Sequence, residues 1–265
     1  MSLEVLVSTM KKKDLLGLMK SMNIIGNCTL VNQCDINKKE KFILNDKNLK
    51  FIYSKEIGLS KSRNLAIKNA NCDICLLSDD DLKYVDNYEN IILNAFKKNP
   101  EYDIITFQVE GIDKKFKDYS KREKKLGYIN SLKVASVEIA FRLESIRKNN
   151  IEFNELIGAG AKYYMGEENV FLYDALRKGM KIKYLPIKIA DVYVGDSTWF
   201  NGFDKKYFYS KGAAFTAMTK KFNLILMIQF LLRRRNLFKK DIGLIVAFKE
   251  MLNGMKNYKK EVINK

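Results

Sequence analysis

An α/β fold is expected, a doubly wound and mostly parallel sheet followed by a basic helical lobe. Three observations predict the sheet and the lobe. Apolar, β-branched-rich runs alternate with stretches of helical period through the first 200 residues, the pattern of parallel strands joined by crossover helices. Residues 58–81, GLSKSRNLAIKNANCDICLLSDDD, carry a basic helix into a short apolar strand that stops at three consecutive aspartates. Ligands of open α/β sheets bind where such strands stop. From residue 203 the period is helical and the charge basic, with 15 Lys plus Arg against four Asp plus Glu in residues 201–265. Two parts are therefore expected, an α/β domain over residues 1–200 and a basic amphipathic helical appendage over residues 201–265, with no Gly-, Pro- or Ser-rich linker between them.

In order along the chain, residues 3–7 make a first strand ending at Ser8 and Thr9, and Leu15, Leu16, Met19 and Met22 follow at helical spacing. Residues 27–32 read as a second strand running into Gln33, Cys34 and Asp35, after which a lysine-rich polar loop leads to a third strand at 49–53. The helix after Gly58 places Leu59, Arg63, Ala66 and Ala70 at helical spacing, and residues 73–77 form a fourth strand. Ile91, Ile92, Ala95 and Phe96 mark a helix that stops before Pro100, because the residue preceding proline is pushed out of the helical region. Residues 102–109 read as a strand, 114–125 as a lysine-rich loop, 134–141 as another strand and 144–150 as a short helix. A small-residue loop at 157–165 precedes a helix at 167–178 capped by Gly179, and two late strands follow at 180–185 and 187–194.

The 265 residues suffice for one large domain plus an appendage, and 47% hydrophobic with 30% charged residues is the composition of a folded soluble protein. The formal charge of +17 calls for an anionic partner (nucleic acid, acidic lipid or a phosphorylated substrate) or else marks a solvated basic surface. Four cysteines do not make a disulfide framework in a chain of this size. Cys72 and Cys75 form a CxxC, but it enters an apolar strand rather than the loop or helix start that redox and zinc sites use, so reduced core residues are expected. No basic region followed by an apolar core and a small-residue cleavage site opens the chain, and the longest apolar run, 224–232, is half of the ~18 residues a membrane span needs. A cytoplasmic location is expected.

Three adjacent carboxylates repel one another, and one is pushed towards its protonated form unless a cation sits among them. Oxygen-only ligands select Mg²⁺ or Mn²⁺, which would neutralise a departing diphosphate. The plainer reading is a turn at a strand end. Residues 58–81 resemble the signature of glycosyltransferase family 2, and GEENVFLYDALRKGMKIKYLP at 166–186 resembles a second segment of that family in the same order. The resemblance covers the first 200 residues. It implies the GT-A fold, a nucleotide-sugar donor (a UDP-sugar above all), a divalent metal, and transfer with inversion to a glycan or lipid-linked acceptor.

By that resemblance Asp79, Asp80 and Asp81 match the family's DxD element, with Asp81 and Asp79 on the metal and Asp79 and Asp80 on the donor. Arg63 matches an arginine that contacts the nucleotide, a role suited to the two-pronged guanidinium. Asp35 stands where family members hold the nucleoside, although NQCD replaces the usual DDGS, and Ser8 and Thr9 could contact the base or ribose. Glu168 aligns with the base of the GED motif, with Glu167 a rival. A general base works best with a pKa near the operating pH. A helix start favours the ionised form, so desolvation by neighbours such as Tyr163 and Tyr164 is required. The histidine that often completes the family's metal site is missing, since the chain has none, and Asp191 or Asp196 would substitute. Trp199 serves either as an acceptor platform or in packing.

In the tail, residues 222–232, Arg233-Arg234-Arg235 and residues 237–252 read as amphipathic helices too short to span a bilayer. They either lie on an anionic membrane surface, at about 1 kcal/mol per basic side chain, or pack on the α/β domain or another subunit. The resemblance and the tail together suggest bacterial surface polysaccharide synthesis at the inner face of the cell membrane. A rival reading is nucleic-acid binding or metal-dependent phosphoryl or nucleotidyl transfer, but STMKKK after the first strand is no glycine-rich phosphate loop.

Overall fold

In the computed structural model, which describes residues 1–195 and 202–263, the chain opens with β1 (Leu3–Met10), α1 (Leu15–Ser21), β2 (Asn27–Gln33), β3 (Lys38–Leu44), β4 (Lys47–Ser54), α2 (Leu59–Asn69) and β5 (Ile74–Asp79). It continues through β6 (Leu82–Tyr84), α3 (Tyr88–Lys98), β7 (Ile104–Gly111), β8 (Lys124–Leu126), α4 (Tyr128–Ser131), a 3₁₀ turn (Ser136–Glu138), β9 (Ile139–Arg142) and α5 (Leu143–Lys148). The last elements are α6 (Glu167–Arg177), β10 (Ile182–Val192), α7 (Lys205–Met218), α8 (Asn223–Phe238) and α9 (Leu244–Ile263). One mixed sheet holds the strands in the order β3-β4-β2-β1-β5-β9-β7-β10-β6, with β8 paired to β10. β4, β2, β1 and β5 pair in parallel, as do β7 and β10. β9 runs antiparallel between β5 and β7, so those six strands share one direction.

Three of the differences from expectation have a local cause. The lysine-rich segment after β2 is not a loop but the strand β3, whose half-buried residues Glu40 and Phe42 alternate with exposed lysines. It turns back through Asn45 and Asp46 at φ 49° and 61°, a two-residue hairpin turn that needs left-handed backbone at both positions and finds the residue types that tolerate it. The strand expected at 134–141 is confined to β9, because Ser136–Glu138 winds into the 3₁₀ turn. The two late strands are one, β10, whose register against β7 slips between Tyr184 and Lys188, around Pro186, which has no N–H to give the ladder.

Helices cover both faces of the sheet. Leu15 and Met19 of α1 and Ile92 and Phe96 of α3 pack on one face, while Ala66, Ile67, Ile146, Phe171 and Leu172 of α2, α5 and α6 pack on the other. A third cluster joins Ile157, Tyr163, Val170 and Tyr173 to Phe208, Phe215, Met227, Phe238 and Met251 of the helical lobe, so α6 packs on both the sheet and the lobe. The α7–α9 approach depends on glycine. A Cβ on Gly212 would stand 2.0 Å from the Met251 carbonyl oxygen, and one on Gly254 would stand 1.9 Å from that of Tyr209.

The site's place follows from the strand order. β1 leads through α1 to β2 on one side, while β4 leads through α2 back across to β5 on the other, so the crossovers diverge between β1 and β5. A crevice opens at the carboxyl ends of strands at such a point. Ser8 and Asp79 are register partners there.

Candidate active site

Asp79 closes β5, and its Oδ1 accepts a 2.9 Å hydrogen bond from Nη2 of Arg63 on α2. The same guanidinium donates from Nη1 to Glu167 Oε1 at 2.8 Å and from Nη2 to Ser136 Oγ at 2.8 Å, and it lies 5.4 Å above the Phe153 ring. Arg63 is 1% exposed. The expected nucleotide contact is therefore corrected: Arg63 ties the first aspartate to the start of α6 from beneath the site. Burial works against its charge, and Asp79 and Glu167 more than offset that, holding its pKa above the ordinary value.

Asp80 is held by Thr9, whose Oγ1 donates to Oδ2 at 2.5 Å, and by Lys12 Nζ at 3.5 Å. Ser8 Oγ accepts from Ser62 Oγ at 2.8 Å, and Gln33 Oε1 accepts from the N–H of Gly58 at 2.7 Å. Ser8, Thr9, Lys12, Gln33 and Asp80 line a cavity of about 540 Å³ together with Asp79, Tyr164 and, from the start of α7, Asp204 and Lys206. Asp35 is not among them. The chain bends away after β2 and leaves Asp35 exposed, and Gln33, two residues earlier, faces the cleft instead. The loop opposite closes by main-chain contact, with Leu59 N–H donating to the Ala159 carbonyl at 2.8 Å. Gly160 (φ 74°) lies so close that a Cβ would stand 3.2 Å from Gly58 Cα.

A second cavity of about 310 Å³ shares Leu59, Asp79 and Tyr164 with the first and adds Asp81, Phe116, Ser136, Glu167, Glu168 and Tyr193. Asp81 Oδ1 is buried without a hydrogen-bond partner. Burial first, then the charges of Asp79 and Asp80, push its carboxyl up to about 6. A hard cation is the group that satisfies such an oxygen, so the site fits one on the chemistry of its donors. Among the described residues no three His, Cys, Asp or Glu side chains form a ready-made cage, so Asp81 and Asp79 would supply part of the shell, with ligand oxygens and water completing it. Asp191 does not reach the cleft. Its carboxylate is bound to Lys188 at 2.8 Å on β10. Asp196 and Trp199 lie outside the described residues.

The two glutamates of GEEN separate cleanly. Gly166, at φ 91°, starts α6, and Glu167 turns inward to Arg63. Glu168 is half-buried, lines the cavity, and is pushed up to about 8 by burial and by the charge of Glu167, against weaker opposing pulls from Lys211 and Arg63. The desolvation that the helix start requires is thus present, but not from both expected tyrosines. Tyr163 is buried in the lobe core, 5.5 Å from the Tyr209 ring, and only Tyr164 reaches the cleft. Sequence reasoning missed Lys12, Gln33, Asp204, Lys206 and Lys211. Lys12, beside the end of β1, and Gln33, at the end of β2, carried a local signal. Cys75, in β5, is fully buried, with its thiol raised well above the usual range by that burial.

Residues 35–162 match the model of Glycosyl transferase family 2. Over that segment, just under half of its length, the chain is similar to glycosyltransferase family 2. The matched segment contains α2, Arg63 and all three aspartates, while Glu168 and the lobe lie beyond it. Among solved structures, S. aureus TarS (residues 1–349) in complex with UDP-GlcNAc is similar at a TM-score of 0.68 and 16% identity, over 97% of this chain and 80% of that one. TarS 1–349 without that ligand gives 0.65 and 17% identity over 96% and 81%. Its complex with UDP gives 0.63 and 15% over 100% and 92%. At these identities the likeness shows a shared fold, and it extends through the helical lobe. No curated protein matches the chain by sequence.

Proposed function

We propose that this protein is a family 2 glycosyltransferase that moves a sugar from a UDP-sugar to an acceptor hydroxyl with inversion, with Glu168 as the general base. The observation that carries the reading is the pair of cavities joined at Asp79, one lined by hydrogen-bonded polar groups and the other holding the basic Glu168. The solved TarS complexes with UDP-GlcNAc and UDP support a uridine diphosphate donor on this fold.

The nucleotide occupies the larger cavity, where Ser8, Thr9 and Gln33 offer hydroxyls and an amide, and Lys12 and Lys206 face its phosphates. Asp81 and Asp79 would hold Mn²⁺ or Mg²⁺, which would supply charge to stabilise the leaving diphosphate. Arg63 holds Asp79 in place through a part-buried, charge-assisted bond. In the smaller cavity Glu168 Oε takes the proton of the acceptor hydroxyl as that oxygen attacks the sugar carbon from the face opposite the diphosphate. Its raised pKa gives it the basicity this step needs near neutral pH.

The acceptor is a glycan or a lipid-linked saccharide, reached at the inner face of a bacterial membrane during surface polysaccharide synthesis. Supporting this, α8 exposes Leu224, Ile225, Ile228 and Leu232 just before Arg233, Arg234 and Arg235, an amphipathic arrangement suited to an anionic headgroup layer. Among the described residues no helix is long and apolar enough to cross a membrane.

Calorimetry with UDP, with and without Mn²⁺, tests the donor half. Metal-dependent binding that Asp81→Asn abolishes is expected. Binding of DNA or RNA with a steep salt dependence, and none of UDP, would favour the nucleic-acid reading.

A further inference from the structure

A third cavity, of about 640 Å³, opens beside the catalytic one and plays no part in the chemistry above. Residues 133–138 form their common wall: Ala135, Ser136 and Val137 line the catalytic side, and Lys133, Val134 and Glu138 line the other. Ser136, at one end of the 3₁₀ turn, is bonded to Arg63, while Glu138 at the other end is bonded to Lys117 and accepts from Tyr119 Oη at 2.7 Å. Lys117 is near enough to Glu168 for its charge to feel that carboxylate.

The lining is basic in an unusual way. Lys117, Lys124, Lys133, Arg233 and Arg234 come from four separate segments, the last two from α8 of the lobe. Both acidic residues of the lining are already engaged, Glu138 with Lys117 and Asp118 with Lys115. Among the described residues Lys124, Lys133, Arg233 and Arg234 have no carboxylate partner, although all four line a single concavity. Gathering like charges from distant segments without counter-charge costs stability, and an anionic ligand removes that cost. The floor is polar as well. Thr106, fully buried, lines the cavity with an Oγ1 that has no hydrogen-bond partner, and Tyr184 Oη is fixed there between Gln108 and the Ser120 carbonyl.

We propose that this cavity is the anion subsite of the acceptor, binding a phosphodiester or pyrophosphate group of a phosphate-bearing saccharide while its hydroxyl lies against Glu168. The inference rests on the transferase reading above and deepens it by naming the acceptor class. The shared chemistry is the phosphate group, whether it links a saccharide to a lipid or joins repeating units of a soluble chain.

The test uses inorganic pyrophosphate as probe, titrated by calorimetry into the full chain with and without saturating UDP, alongside flotation with phosphatidylglycerol vesicles. Two charge-reversed variants separate the sources: Lys124→Glu with Lys133→Glu alters only the cavity rim, and Arg235→Glu with Lys239→Glu alters exposed positions of the lobe outside it. The expected result is pyrophosphate binding that persists under saturating UDP and weakens roughly tenfold or more in the rim variant, while UDP affinity and vesicle flotation stay unchanged. The Arg235/Lys239 variant should lose flotation and keep pyrophosphate. Pyrophosphate binding that UDP abolishes, or that the rim variant retains in full, overturns the inference. Failure of UDP to bind at all would instead strike the transferase reading, leaving the rim variant to decide the subsite by pyrophosphate alone.

Discussion

The cavity around Asp80 and the cavity around Glu168 share Asp79, Leu59 and Tyr164, yet they satisfy their polar groups differently. In the first, Thr9 and Lys12 hold Asp80, Ser62 holds Ser8, Gly58 holds Gln33, and Arg63 holds Asp79. In the second, Asp81 keeps a buried oxygen with no partner and Glu168 is desolvated until its pKa nears 8. The difference teaches a division of labour. A binding surface is well served by groups already fixed in one geometry, whereas a base and a metal ligand must retain unmet demand that substrate or cation then fills.

The comparison can be broken first at its most reactive point. Glu168→Gln should lower kcat by roughly 100- to 10,000-fold while leaving UDP affinity nearly unchanged, since it removes the base and spares the donor cavity. Steady-state kinetics with paired calorimetry reads both. Equal losses of rate and of UDP binding would mean that the two cavities do not divide the work in this way.

Arg63 joins the cavities from below, so Arg63→Ala leaves Asp79 and Glu167 without their shared cation. Breaking a buried pair on one side costs about 3–5 kcal/mol, which thermal or urea unfolding would register directly. Glu167→Gln should cost less, because Asp79 and Ser136 still hold the guanidinium. A smaller effect is expected from Gly254→Ala in the lobe, about 1–3 kcal/mol for forcing α7 and α9 apart. Because α7 also brings Lys211 near Glu168, that variant should lower kcat while preserving UDP binding.

The first cavity was also the more legible one in the sequence. Ser8, Thr9, Asp79 and Asp80 sit at strand ends, and strand ends can be read from short apolar runs flanked by polar residues. Arg63 showed its apolar-facing position through helical spacing, but not that its partners lay 16 and 104 residues away. Asp35 misled because a strand's final bend depends on where the next strand pairs, and the β3–β4 hairpin was hidden under lysines. Lys206 and Lys211 were invisible as site residues, since only tertiary packing of the lobe on α6 brings Lys206 to the cleft and the charge of Lys211 within reach of Glu168. The separation of Glu167 from Glu168 is likewise a matter of which side of one helical turn meets Arg63.

The pH dependence of kcat/KM tests the central claim most directly. Glu168 must be ionised to act, and burial raises its pKa to about 8. The same shift makes its ionisation destabilising, because between its unfolded value and 8 the folded chain holds a proton that the unfolded chain has released. Activity should therefore rise about tenfold per unit as the pH climbs towards 8 and level off above it, with that limb absent from the residual activity of Glu168→Gln. A flat profile between about pH 6 and 9, or a limb that survives in Glu168→Gln, would contradict the assignment of Glu168 as the base.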